Sequence, residues 1–205
     1  MGHLVITIAA STEPKEMPSA GKLRRISELS STIAIWWIRL LKKSESKDIM
    51  NRVEEGGTIA GKGAEGDVRG SFSKYADLTE RAIHVQKQII RKLAEKEACV
   101  IIGRSADYIL KDSKDIKLLR AFIYAPDEIR IQNIMKSHSL SESDAKILLL
   151  EKDKRYHKRH LALTGSNRGD RHNRDILINS AFLGVEGTAE YLEELIQKKY
   201  GSGEE

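Results

Sequence analysis

Two arginine-bearing segments and one lysine carry residue types suited to holding phosphate. The first is Gly103-Arg104-Ser105-Ala106-Asp107-Tyr108-Ile109-Leu110, which follows the apolar run Cys99–Ile102. Glycine lets the backbone turn there, and a guanidinium just beyond can grip a phosphate with two parallel hydrogen bonds. Asp107, one helical turn on, can accept hydrogen bonds from a base or a sugar. The plainer reading is a surface Arg–Asp pair at i,i+3. The second segment is Lys152–Arg159, which places Arg155 and Arg159 at i,i+4 on one helix face. A mobile basic segment of that kind can fold over a polyphosphate and neutralise charge as a phosphoryl group moves. The plainer reading is a solvated helix face. The lysine is Lys22, which with Gly21 and a capping Ser19 opens a helix over roughly 22–30, and helix N-termini favour anions.

Charge is distributed to match. The chain has 205 residues and a formal net charge of +5. Glu151–Asp175 contains eight basic residues (Lys152, Lys154, Arg155, Lys158, Arg159, Arg168, Arg171 and Arg174) against four acidic ones, while the remainder holds 27 against 26. Almost all the excess therefore lies in one segment, which also carries His157, His160 and His172.

These side chains need a scaffold. Short β-branched runs predict five strands, starting at about Leu4, Thr32, Cys99, Leu118 and Asp175. Between them lie helical patterns. Asp77 and Glu80 resemble a capping box before Leu78, Ala82, Val85, Ile89 and Leu93. Pro126-Asp127-Glu128 marks a helix start. Ser141 caps a helix carrying Ala145, Leu148 and Leu149, and Val185, Ala189, Leu192 and Ile196 line a last one. Alternation of short apolar strands with helices predicts an α/β domain with a mostly parallel sheet. Ligands of such sheets bind beyond the carboxyl ends of the strands, so the informative positions follow Ile8, Ile102 and Tyr124.

Other functions are disfavoured. The length suits one domain with one core. A single cysteine, Cys99, excludes an internal disulfide framework and a multi-cysteine zinc site, and it is expected to pack as a small hydrophobe. His157 and His160 lack partners at zinc-ligand spacing. The longest apolar run, Thr32–Leu41, is interrupted by Arg39 and falls far short of the roughly 20 residues of a membrane helix. Few aromatics accompany the basic run, which disfavours a nucleic-acid surface. The expectation is a soluble cytoplasmic protein whose partners are small-molecule nucleotides, with no membrane and with nucleic acid, through the 151–175 segment, as the weaker reading; the oligomeric state stays open.

GRSADYIL, AFIYAPDEIRIQNIM, EKDKRYHKR, TGSNRGD and DILINSAFLGVEGTAEYL, in this order and spacing, together resemble the cytidylate kinase-like family of P-loop nucleoside-monophosphate kinases. The likeness runs from roughly Leu78 to Tyr200. It implies a three-layer P-loop fold with a five-stranded, mostly parallel sheet in a single domain over 1–205. It also implies a mobile acceptor-binding region near 44–76 and a helical lid near 139–172. The implied activity is transfer of a phosphoryl group from ATP, with Mg2+, to CMP or a similar nucleotide. By the same resemblance Ser19, Gly21 and Lys22 would hold ATP, and Arg104 and Asp107 would hold the acceptor. Arg155 and Arg159 would be lid arginines near the transferred group.

The first half departs from the family pattern. After LVITI, where a glycine-rich phosphate loop is usual, the chain reads Ala9-Ala10-Ser11-Thr12-Glu13-Pro14-Lys15-Glu16-Met17-Pro18-Ser19-Ala20-Gly21-Lys22. Two prolines lack N–H donors, and two glutamates oppose phosphate. Gly56-Gly57-Thr58-Ile59-Ala60-Gly61-Lys62 matches a phosphate-loop string, but no strand precedes it and Gly63 replaces the magnesium-holding hydroxyl residue. Hence a second expectation stands beside the first: a kinase-like protein that has lost catalysis and binds nucleotides or a partner.

Overall fold

A computed structural model describes residues 2–11 and 83–200. Four strands form one parallel sheet there: β1 (His3–Ala10), β2 (Cys99–Ile102), β3 (Ile116–Tyr124) and β4 (Ile176–Asn179), in the order β2-β1-β3-β4. Four of the expected strands are thus observed. The expected five-stranded sheet is corrected to four strands among the described residues, because the candidate at Thr32 lies outside them. The register aligns Ile8 with Ile102 and Ala121, and Tyr124 with Asn179. The carboxyl ends of β1, β2 and β3 therefore share one edge.

Side chains alternate across the sheet with the period of two that a pleated strand imposes. Ile6, Ile8 and Ala10 of β1, with Val100, Leu119, Ala121, Ile123 and Ile178, form one apolar face. Val5, Cys99 and Ile101 face the other way. Both faces are covered, as a parallel sheet requires. Leu192 and Ile196 of a C-terminal helix (Ser180–Tyr200) close the first face. Ile90 and Ala94 from the helix at 83–96, here α1, close the second, together with Ala106, Ile109 and Leu110 around the short α2 (Ala106–Ile109). Burial pushes the Cys99 thiol up to about 11, with nearby Glu97 adding to the effect, in keeping with a packed, unreactive sulfur.

The helix packing corrects one detail of the periodicity. The expected inner face of α1 was Val85, Ile89 and Leu93. Gln86, Ile90 and Ala94 are instead the buried set, and Val85 is exposed. The face is turned by one residue because the Gln86 carboxamide finds hydrogen-bond partners inside, so burying it carries no desolvation penalty without compensation.

Two further helices follow β3. Helix α3 (Asp127–His138) starts after Pro126, with Asp127 and Glu128 in its first turn. Helix α4 (Glu142–Thr164) is capped by Ser141, whose Oγ accepts from the Asp144 N–H at 3.2 Å. Ile134 on α3 packs against Ala145 and Leu149 on α4, a small cluster separate from the sheet. Gly165, at φ +69°, closes α4 with its N–H on the Leu161 carbonyl. The C-terminal helix, α5, is interrupted at Gly184, where φ is +68°. Among the described residues no helix is long and apolar enough to cross a membrane.

Candidate functional site

Two arginines from separate parts of the chain converge on the carboxyl end of β1. Arg130 lies in the first turns of α3, on the same face as the buried Ile134 four residues on. Its guanidinium grips Asp153 of α4 through two hydrogen bonds of 2.7 and 2.6 Å. It also meets Asp127 at 3.0 Å and donates to the Ser11 carbonyl at 2.5 Å. Arg168, on the segment returning from α4, donates to the Ala10 carbonyl. Its guanidinium lies over the Tyr156 ring, 4.8 Å from the centroid, in cation–π geometry. Arg168 also approaches Asp153, at 3.9 Å. The carbonyls of Ala10 and Ser11, at the exit of β1, are thus both held by guanidinium groups.

Arg155, on α4, lies 5.5 Å from the centroid of the same Tyr156 ring. The buried Nε atoms of Arg130, Arg155 and Arg174 find no acceptor among the described residues. Burial drives the Arg168 pKa below its ordinary value, Asp153 only partly opposing it, so this cation sits where counter-charge is short. An environment with buried donors to spare and too little negative charge fits a phosphate-bearing ligand.

The carboxyl end of β2 is built differently. Gly103, Arg104 and Ser105 are all left-handed, with φ of +69°, +58° and +51°. Glycine adopts this freely, but for other residues the cost is of the order of 1–2 kcal/mol each. Only the first of the three was signalled by residue type. The Gly103 N–H is fixed on the Ile8 carbonyl at 2.8 Å. The Gln86 amide donates to the Arg104 carbonyl at 3.3 Å, and its oxygen accepts from Arg159 Nη2 at 3.2 Å. Ser105 Oγ lies 3.1 Å from His160 Nδ1. His160 is buried, and burial holds its imidazole below the ordinary 6.5. Asp107 pulls the other way, while Arg174, Arg168 and His157 add to the depression.

Asp107 is not part of a surface pair with Arg104. It is buried and ion-paired with Arg174, whose guanidinium also bonds the Arg168 and Asn173 carbonyls at 3.0 and 3.2 Å. Of the residues expected from sequence, Arg104, Asp107, Arg155 and Arg159 therefore lie on the turn after β2 and on α4. Gln86 joins the Arg104 turn to Arg159. Ser19, Gly21 and Lys22 lie outside the described residues, as do the capping residues Asp77 and Glu80, the string at 56–62 and the region near 44–76.

Sequence reasoning missed Gln86, Arg130, Asp153 and Arg174, and passed over His160 as unremarkable. One signal was available. Gln86 is four residues before the buried Ile90, Arg130 is four before Ile134, and His160 shares the face of α4 that carries Leu149. A polar side chain on the apolar stripe of a helix marks a buried group with a partner. Among the described residues no three histidine, cysteine or carboxylate side chains gather as metal ligands. The edge offers guanidinium donors, a group type that suits phosphate oxygens.

Comparison with known proteins adds a lineage. The model of the cytidylate kinase-like family matches residues 19–181. A protein described as cytidylate kinase from Thermococcus sibiricus is 26% identical over 137 residues, 65% of this chain and 69% of that protein. Another, from Thermococcus kodakarensis, is 29% identical over 136 residues, 65% of this chain and 67% of that one. In structure, the chain is similar to an uncharacterized protein from Eubacterium ventriosum, with a TM-score of 0.60 and 22% identity over 96% of this chain and 99% of the other, a likeness of fold.

Proposed function

The chain belongs to the cytidylate kinase-like family, and from that premise we propose that it is a nucleotide kinase, moving the γ-phosphoryl group of ATP to CMP or a similar nucleoside monophosphate. The observation that carries this reading is the group of guanidinium side chains at the carboxyl end of β1, beside the strained Arg104 turn. Phosphoryl transfer asks a protein chiefly to align two oxygens and to neutralise spreading negative charge, with little covalent chemistry of its own.

In this reading the fold is of the three-layer P-loop type in one domain, and 139–172 acts as a lid. Arg104 grips the acceptor phosphate, and the Asp107 carboxylate, oriented by Arg174, borders the acceptor base or sugar. Arg155 steadies the transferring group from α4, with Arg159 joined to the acceptor turn. Arg130 and Arg168 fix the exit of β1, from which the chain runs on to Ser19, Gly21 and Lys22, the residues assigned to the ATP phosphates. Magnesium bound with ATP would offset charge on the β- and γ-oxygens.

A coupled assay of ADP release over a panel of nucleoside monophosphates tests the reading. The expected result is ADP release that depends on the acceptor and is greatest with CMP. Absence of acceptor-dependent release with every member would overturn it. The second reading, a kinase-like fold without catalysis, is favoured by Glu13, Pro14, Glu16 and Pro18 in the sequence that follows β1. Nucleoside-monophosphate binding without ADP release would support that reading instead.

A further inference from the structure

Two consecutive residues of α4 meet two consecutive residues of the turn after β2. Arg159 reaches the Arg104 carbonyl through Gln86, and His160 engages Ser105 directly. We propose that Gln86 and His160 are positioning residues: they hold the left-handed Gly103–Ser105 turn so that Arg104 is presented to the phosphate of a nucleoside monophosphate, and they couple that turn to the helix bearing Arg155 and Arg159. This rests on the reading above, in which Arg104 faces the acceptor.

The chemistry of the side chains supports the assignment. A residue other than glycine stays in the left-handed region when its surroundings over-determine it, and Arg104 and Ser105 do so side by side. Gln86 is 3% exposed and uses both ends of its carboxamide in opposite directions, donating to the turn and accepting from Arg159. A carboxamide supplies both functions at one end of a side chain, whereas a carboxylate cannot donate and an alkyl group does neither. The third hold, Gly103 N–H on the Ile8 carbonyl, anchors the turn to the central strand. A displacement of α4 would withdraw the His160 hold and take from Gln86 the Arg159 partner that orients its carboxamide, so the acceptor turn reports on the position of the helix.

The test uses the full chain with Gln86→Leu, comparable in bulk and lacking both hydrogen bonds. Amide exchange across residues 103–110 is measured beside calorimetric titrations of CMP and of ATP. Exchange in the turn should quicken about tenfold and the CMP Kd should rise about tenfold, the scale of one net hydrogen bond, with the ATP Kd changed less than about twofold. Unchanged exchange in the folded variant overturns the clamp. Faster exchange with unchanged CMP affinity, or an equal loss of CMP and ATP affinity, overturns the positioning role. If the unaltered protein binds no nucleoside monophosphate, the functional reading fails, and the proposed presentation of Arg104 with it, while exchange still decides the clamp. Should Gln86→Leu not fold, Gln86→Glu takes its place; it keeps the acceptor for Arg159, loses the donor to Arg104, and is judged by the same outcomes.

Discussion

The carboxyl ends of β1 and β2 lie side by side in the sheet, yet they are held by different forces. At the exit of β1, Arg130 and Arg168 share Asp153 and hold backbone carbonyls, Arg130 keeps a buried Nε without an acceptor among the described residues, and Arg168 shares the Tyr156 ring with Arg155. At the exit of β2, the backbone is strained, hydrogen bonds from Gln86 and His160 fix it, and the buried Asp107 carboxylate pairs with Arg174, whose Nε is likewise without an acceptor among the described residues. A surplus of guanidinium suits a place where phosphate charge arrives. A turn fixed by neutral groups suits a place where an acceptor must be oriented. In the proposed reading, one sheet edge would set neutralisation of the moving phosphoryl group beside orientation of the acceptor.

The largest expected effect separates the two kinds of ion pair. Asp107→Ala leaves Arg174 buried without its carboxylate and should cost about 3–5 kcal/mol of stability. Asp153→Ala takes a partly exposed carboxylate from Arg130 and Arg168, which keep Asp127, the Ser11 carbonyl and the Ala10 carbonyl between them, and should cost about 1–2 kcal/mol. Denaturant unfolding of both variants measures this, and equal losses would erase the distinction. Next comes Arg155→Ala, expected to lower kcat by roughly 10²–10³ with little change in stability, as for removal of a group that meets charge developing in the transition state. Steady-state kinetics and a melting curve check it. A raised acceptor KM at full kcat would move Arg155 to the other side of the comparison.

The smallest effect concerns pH. Folding depresses the His160 pKa, so below the ordinary 6.5 the unfolded chain binds the proton more readily than the folded one. Stability should therefore be fully present above about 6.5 and fall as pH drops through the depressed value. In His160→Asn, whose side chain does not titrate, that part of the decline should vanish. Melting temperatures between pH 5 and 7.5 measure it, and parallel curves for the two proteins would remove His160 from the neutral clamp.

Much of this edge was legible from residue types. The β-branched runs at Leu4, Cys99, Leu118 and Asp175 mark strands because both faces of a parallel sheet are buried, and Ser141 marks a cap because its hydroxyl satisfies a free helix N–H. Arg104, Arg155 and Arg159 stood out as phosphate-binding types. What joins them did not. Gln86 lies 18 residues from Arg104 and 73 from Arg159, and His160 lies 55 from Ser105. Local periodicity carries no information about such pairings, and the one-residue turn of α1 follows from them. Ser105 shows the same limit, because nothing in a serine announces φ of +51°. Asp107 reads as a surface partner of Arg104 until the fold brings Arg174 from 67 residues away.

Calorimetric titration of ATP with magnesium into the full chain, at low and at raised salt, tests most directly whether this edge is built for nucleotide phosphates. Saturable one-to-one binding that weakens with salt, and weakens further in Arg168→Ala, is the predicted result. No saturable heat at low salt, or binding indifferent to both salt and Arg168, would contradict it.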